Sequence, residues 1–254
     1  MHWKTLYIRF HSRRLFLSLL VFCVVSLVGP GCGRTVNRTA ERRIREALPD
    51  LLGTARQYRV HVEGAPGHTL SGQLACVIIE GDDVELNNGL LLDHLHLELD
   101  GVDYDTGRRQ VRDIKTASFE AMISENSMDQ YLAGEAPQGE KIRNVRVAFG
   151  KGNSVTIAAE RVTLGLGVPF RLSGPLRVVG KRSLEFDADR LVLIGIPITG
   201  APLRFLLDRL VTGSNLSTLP FPVQLAEVRT SPGSLTLSGT ADVPALLKRV
   251  QSGK

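Results

Sequence analysis

Reactive side chains are scarce in this sequence. Three cysteines, six histidines and one tryptophan are spread over 254 residues. Trp3, His2, His11 and Cys23 fall in the first 31 residues, and neither His nor Cys occurs after His96. Cys76 has no second cysteine in the body with which to form an internal bridge, and no CxxC metal motif is present. Nor is there a G-x-S-x-G elbow, an H-E-x-x-H pair or a Walker loop. Cys76 stands among Leu74, Ala75, Val77 and Ile78, and reads as a small core hydrophobe. Stability must then come from a hydrophobic core, for which about 220 residues are ample.

The basic surplus that a nucleic-acid binder needs is missing as well. The chain has 31 Lys+Arg against 26 Asp+Glu. Lys4, Arg9, Arg13 and Arg14 lie in residues 1–31, which hold no acid, so the rest has 27 basic against 26 acidic residues. That balance, with no basic stretch interleaved with aromatics, argues against nucleic acid as a partner.

The sequence has one long apolar run, Leu15–Val28, broken only by two serines. It follows a basic stretch and precedes Gly29-Pro30-Gly31-Cys32. Residues 1–31 therefore read as a bacterial export signal, since fourteen residues are short of the roughly 20 a membrane span needs; an uncleaved anchor is the alternative. Ser12-Arg13-Arg14-Leu15-Phe16-Leu17 resembles the twin-arginine export motif, whereas the strongly apolar core favours the general secretory route. Cys32, preceded by Gly31, stands where a lipoprotein signal places its acylated cysteine, although Gly29 replaces the usual Leu. These features predict a protein exported and membrane-anchored in the bacterial envelope, in the periplasm or on the outer face.

Alternation dominates what remains. Val162, Leu164, Leu166, Val168, Phe170, Leu172, Leu176 and Val178 fall on one side of a period-2 pattern, with Gly, Pro, Arg, Ser and Thr on the other. The run reads as one long, bent strand with an apolar face. Further strands are expected at 58–63, 72–80, 90–105, which is long, 114–123, 142–149, 154–159, 184–198, 221–230 and 234–241, with 73–79 also compatible with a helix. The apolar phase changes near Ala158–Arg161, which predicts a β-bulge or bend there. Helical spacing marks 35–52, 124–133, the leucine stripe Leu203, Leu206, Leu207 and Leu210, and 243–250 behind Asp242 and Pro244. The arginines of 35–52 would meet anionic headgroups if Cys32 is acylated; the other reading is an ordinary helix packed on the sheet.

Polar clusters are few. His94, His96 and Glu98 alternate on one strand face at a spacing compatible with zinc, and Glu80, Asp82, Asp83 and Glu85 surround Gly81. A solvated strand face and an acidic turn account for both. Asp187 and Asp189 share a predicted strand face with nothing to mark them as an acid/base pair. No catalytic residue, metal site or cofactor is assigned.

Gly89-Leu90-Leu91-Leu92-Asp93-His94-Leu95 and its strand, with Leu219-Pro220-Phe221-Pro222-Val223-Gln224-Leu225 leading to Gly233–Ala241, resemble the LmeA-like family of bacterial envelope proteins. Coverage is roughly residues 36–250. That family is similar to tubular lipid-binding (TULIP, BPI-like) folds. The resemblance implies phospholipid binding at or between envelope membranes, and it brings no catalytic residue.

The sequence thus predicts an α+β fold: a long, strongly curved antiparallel β-sheet wrapped around amphipathic helices. After the signal, residues 32–254 form a single domain, with helix 35–52, a β-rich body over 57–241 and a C-terminal helix 243–250. Its function is non-enzymatic binding, with transfer a further step, of phospholipid or another acyl lipid. The lining residues are Leu164, Leu166, Val168, Phe170, Leu176, Val178, Phe186, Leu203, Leu206, Leu207 and Leu210, with Cys32 as lipid anchor. The alternative is a scaffold lipoprotein with a packed core and a protein partner. A lipid or glycan hydrolase is a third reading.

Overall fold

After residue 53 the alternating segments pair into antiparallel sheets. The computed structural model describes residues 32–105, 110–134, 142–163, 166–180, 183–203, 223–241 and 243. The proposed signal, Leu164, Leu206, Leu207, Leu210 and the segment 244–250 lie outside the described residues.

In chain order the elements are α1 (Cys32–Leu52), β1 (Thr54–Glu63), α2 (Pro66–Leu70), β2 (Gln73–Glu85), β3 (Leu91–Asp105), β4 (Gln110–Ser124) and α3 (Glu125–Gly134). There follow β5 (Ile142–Phe149), β6 (Ser154–Thr163), β7 (Leu166–Val179), β8 (Ser183–Phe186), β9 (Arg190–Leu193), β10 (Ile196–Thr199), β11 (Val223–Ser231) and β12 (Ser234–Ala241). The first sheet has the order β1-β2-β3-β4-β12-β11; the second has the order β10-β9-β7-β6-β5, with β8 paired to β7. The molecule is therefore mostly antiparallel sheet with a few helices, and the described strands form two sheets where the sequence suggested one. Residues 73–79 are strand, and α2 has no counterpart in the sequence pattern.

The long alternating run is not one strand. Val162 pairs with Gly167 and Thr163 with Leu166, so the chain reverses between 163 and 166. The reversal hides in a period-2 pattern because paired residues share a face: Val162 pairs with Gly167 and so lies on the face opposite Leu166. The β6–β7 register is uninterrupted through Ala158–Arg161. The expected bulge is instead on the facing strand, between Arg143 and Arg146, where Asn144 takes φ 56. Leu184–Ile198 is likewise not one strand but β8, β9 and β10.

Edge strands expose unpaired backbone groups, and helices cover two of them here. Along β1, Glu41 of α1 accepts the Val62 N–H at 3.1 Å, and Asn37 Nδ2 donates to Val62 O at 3.3 Å. Along β5, Asp129 of α3 accepts the Val147 N–H, and Glu125 accepts that of Phe149 at 2.7 Å. Ser124 caps α3: its Oγ accepts the Ser127 N–H at 3.2 Å, while Asp93 Oδ2 accepts from Ser124 N and Ser127 Oγ. One core runs through both sheets, from Val60, Ile79, Leu95, Phe119 and Leu237 in the first to Val147, Phe149, Val155 and Leu176 in the second.

Candidate functional site

Two faces of the molecule have the ingredients of a site, one polar and one apolar. The polar one is the outer face of the first sheet. Register sets Arg59, Glu80, His96 and Glu120 in one row across β1 to β4, and Asp82 opposite His94 in the next. Arg59 donates to Glu80 Oε2 and Asp82 Oδ2, each at 2.8 Å, and Asp82 Oδ1 lies 3.1 Å from His94 Nδ1. The Arg59 hydrogen bond holds Glu80 below its ordinary carboxyl range; His94 and then Arg59 do the same for Asp82. Asp83 pairs with Arg56 at 3.1 Å. The acidic cluster around Gly81 is thus held by arginines.

His94, His96 and Glu98 do share a strand face, but they do not converge. The close group among the described residues is Cys76, Glu98 and Asp100, whose ligand atoms lie within 4.8 Å of one another. Cys76 is therefore not a core residue. It faces outward opposite Asp100, with its thiol 3.9 Å from Glu98 Oε1. Burial first, then Asp100, Glu98 and Glu63, push this thiol up to about 11, so it is not a thiolate nucleophile at neutral pH. Asp100 also accepts the Thr116 hydroxyl at 2.8 Å. Asp187 and Asp189 are not on a strand; both lie in the β8–β9 connection, with their N–H groups bonded to Pro175 O and Ser173 O of β7.

The apolar face is the cleft between the sheets. Leu90, Ile123, Leu235 and Leu237 line it from the first sheet side and Met128, Tyr131 and Leu132 from α3. Val147, Phe149, Val155, Ile157 and Leu176 line it from the second sheet, with Leu184 and Phe186 of β8, and Asn88 is the polar neighbour. The volume of this partly open cleft is about 70 Å³, well below the roughly 300–1,000 Å³ of a pocket that holds a drug-sized ligand. The mostly apolar walls favour hydrocarbon, and further volume has to come from the walls separating.

Of the lipid-lining residues named from sequence, Leu176 and Phe186 border this cleft. Val178 is half-buried against the core beside it. Val168 and Phe170 are half-buried further along β7, and Leu166 is exposed at its start. Leu203 is buried at 2% exposure and does not line the cleft. Cys32 opens α1. The walls from α3, β5 and β12 were missed as a site, although the Met128, Tyr131 and Leu132 stripe is visible in the sequence. Its role depends on which strands α3 faces, and local spacing does not encode that. No helix among the described residues is long and apolar enough to cross a membrane.

The LmeA-like phospholipid-binding family matches residues 33–240 of the 254-residue chain, and the chain belongs to that family. No protein of curated function and no solved structure matches the chain significantly.

Proposed function

We propose that the chain binds phospholipid or a related acyl lipid, without catalysis, by taking acyl chains into the cleft between its two sheets. Membership of a phospholipid-binding family supports the ligand class. The observation that carries the location is the cleft itself: its lining is leucine, valine, isoleucine, phenylalanine and methionine from both sheets and α3, with little polar relief. Each buried methylene contributes about 0.8 kcal/mol, so a long chain supplies affinity without a polar anchor. Transfer between membranes, export by residues 1–31 and anchoring through an acylated Cys32 complete the reading as proposals. In it α1 presents exposed Arg38, Arg42, Arg43 and Arg45 toward anionic headgroups.

The narrowness of the cleft favours one other reading, a scaffold with a filled interior and a protein partner. Native mass spectrometry of the purified chain, with extraction and identification of bound lipid, decides between them. Lipid at near one per chain is expected, and Leu176→Trp, which fills the cleft, is expected to abolish it. Lipid-free protein that also takes up no fluorescent acyl probe would overturn the lipid reading. Palmitate labelling in cells, with and without Cys32→Ala, tests the anchor.

A further inference from the structure

The second sheet ends in an apolar surface that folding alone does not call for. Leu166 is 72% exposed, and Ile194 and Ile196 are each 66% exposed. Leu193 pairs with Ile196 across a two-residue turn, and both turn residues have positive φ, 50° at Ile194 and 79° at Gly195. That is the primed hairpin turn, whose first position favours Asn, Asp or Gly. A β-branched residue is an outlier in left-handed backbone. Ile194 is thus unfavourable twice over, in its backbone and in the apolar side chain it holds in water. Asparagine would relieve both, so the side chain itself calls for a reason.

The turn belongs to a larger surface. The Ile194 N–H donates to Pro169 O at 3.2 Å, three residues, or about 10 Å of strand, from Leu166. Register then carries the apolar face inward. Ile196, Leu193, Phe170 and Ala159 form one row across four strands; Ile198, Leu191, Leu172 and Ile157 form the next. Ile157 borders the cleft. The exposed tip and the cleft are therefore two ends of one apolar sheet face. Among the described residues, the strands at this end carry Arg143, Arg161 and Arg171 against one carboxylate, Glu160.

We propose that this end of the second sheet docks on an anionic lipid bilayer. Leu166, Ile194 and Ile196 enter the acyl boundary, and the arginines lie at headgroup level. The proposal deepens the lipid-binding reading and rests on it for the choice of a bilayer over another apolar partner; the basic surplus and the continuity with the cleft point the same way. Lipid leaving the bilayer at the tip would reach the cleft along Val168, Phe170 and Leu172 without crossing water.

A tryptophan reporter tests it in the full chain, with the one native tryptophan removed by Trp3→Phe. The reporter is placed at the tip by Ile194→Trp, with Ile196→Trp as a second position, or on the outer face of the first sheet by Met122→Trp. Because a reporter reads its own surroundings, attachment through residues 1–31 does not imitate docking. With phosphatidylglycerol vesicles the tip reporters are expected to shift to the blue and to be quenched by brominated lipid, and the Met122→Trp reporter is not. Arg143→Glu with Arg171→Glu should weaken the response at least about tenfold. An unshifted tip, equal shifts at tip and control, or a concentration-dependent shift without vesicles, which marks self-association, overturns docking. Monomeric short-chain fluorescent phosphatidylcholine reads the cleft separately. Loading with a silent tip removes docking alone; a shifted tip without loading supports docking and removes the cleft reading alone.

Discussion

Ile123, Leu95, Leu235 and Leu237 of the first sheet turn their side chains inward and are all but sealed from water. Ile194, Ile196 and Leu166 of the second sheet have equally apolar side chains and leave them in solvent. Both sheets follow period-2 alternation, so pattern does not separate them; their coverings do. The first sheet has α1 along β1, with α3, β5 and β6 across the cleft. Among the described residues, the second is sealed at its β5, β6 and Leu176 end, and burial falls away along β7 toward Leu166. One sheet acts as a foundation, and the other is finished only at the end that meets it. A surface left unfinished in this graded way is where an apolar ligand or membrane is to be sought.

The contrast predicts unequal responses to the same truncation. Ile123→Ala should lower unfolding free energy by about 2–5 kcal/mol through lost burial and a residual cavity. Ile196→Ala, at a solvated position, should change it by about 0.5 kcal/mol or less. Urea denaturation of both variants measures the difference, and equal losses would break the comparison. A second pair asks whether the two sheets are equally tight away from the tip. A Cβ on Gly239 would lie 2.1 Å from Gln224 O, and one on Gly174 would lie 2.1 Å from Asp187 O. Backbone has to shift in both cases, so Gly239→Ala and Gly174→Ala should each destabilise by about 1–3 kcal/mol. Parity here, together with disparity in the first pair, would locate the looseness at the tip.

Much of this architecture is legible in the sequence, and the failures have a common cause. Helix 35–52, the strand Leu90–Asp105, the helix after Ser124 and the hairpin at Ser231-Pro232-Gly233 all carry local signals, and each is found. The reversal between β6 and β7 is invisible to alternation, because the apolar-polar rhythm of the sequence runs on across it while the faces exchange. Ile194-Gly195 was missed for a different reason: its first residue is wrong for the turn it occupies. Cys76 was assigned by its apolar sequence neighbours, yet in a strand those neighbours alternate between faces, and register decided the matter by setting it opposite Asp100. The cleft was legible only in part because Leu176 and Phe186 announce an apolar face, whereas the opposing wall from α3 and β12 is a product of topology.

The strained turn offers a gain rather than a loss. Left-handed backbone costs a residue with a Cβ roughly 1–2 kcal/mol, and asparagine tolerates it better. Ile194→Asn should therefore raise stability by about 1 kcal/mol, seen as a higher Tm, while removing an apolar side chain from the tip. Stability and vesicle response would then move in opposite directions at one position. That outcome separates a residue kept for folding from one kept for contact.

The smallest effect belongs to the outer face of the first sheet. Glu80 and Asp82 are held below their ordinary carboxyl values, Glu80 chiefly by Arg59 and Asp82 by His94 and then Arg59. A carboxyl whose folded value is depressed adds stability above its unfolded value, about 4 for these side chains, and loses it as pH falls through the lower folded value. Arg59→Ala should thus reduce stability at neutral pH slightly and flatten its decline below about pH 4. The effect should shrink further in high salt, because these groups are exposed and screened. Stability followed from pH 7 to pH 2 in both proteins measures it. A drop as large as that of Ile123→Ala would mean the charged face, and not the sealed interior, holds the first sheet together, and the contrast between the sheets would have to be redrawn in electrostatic terms.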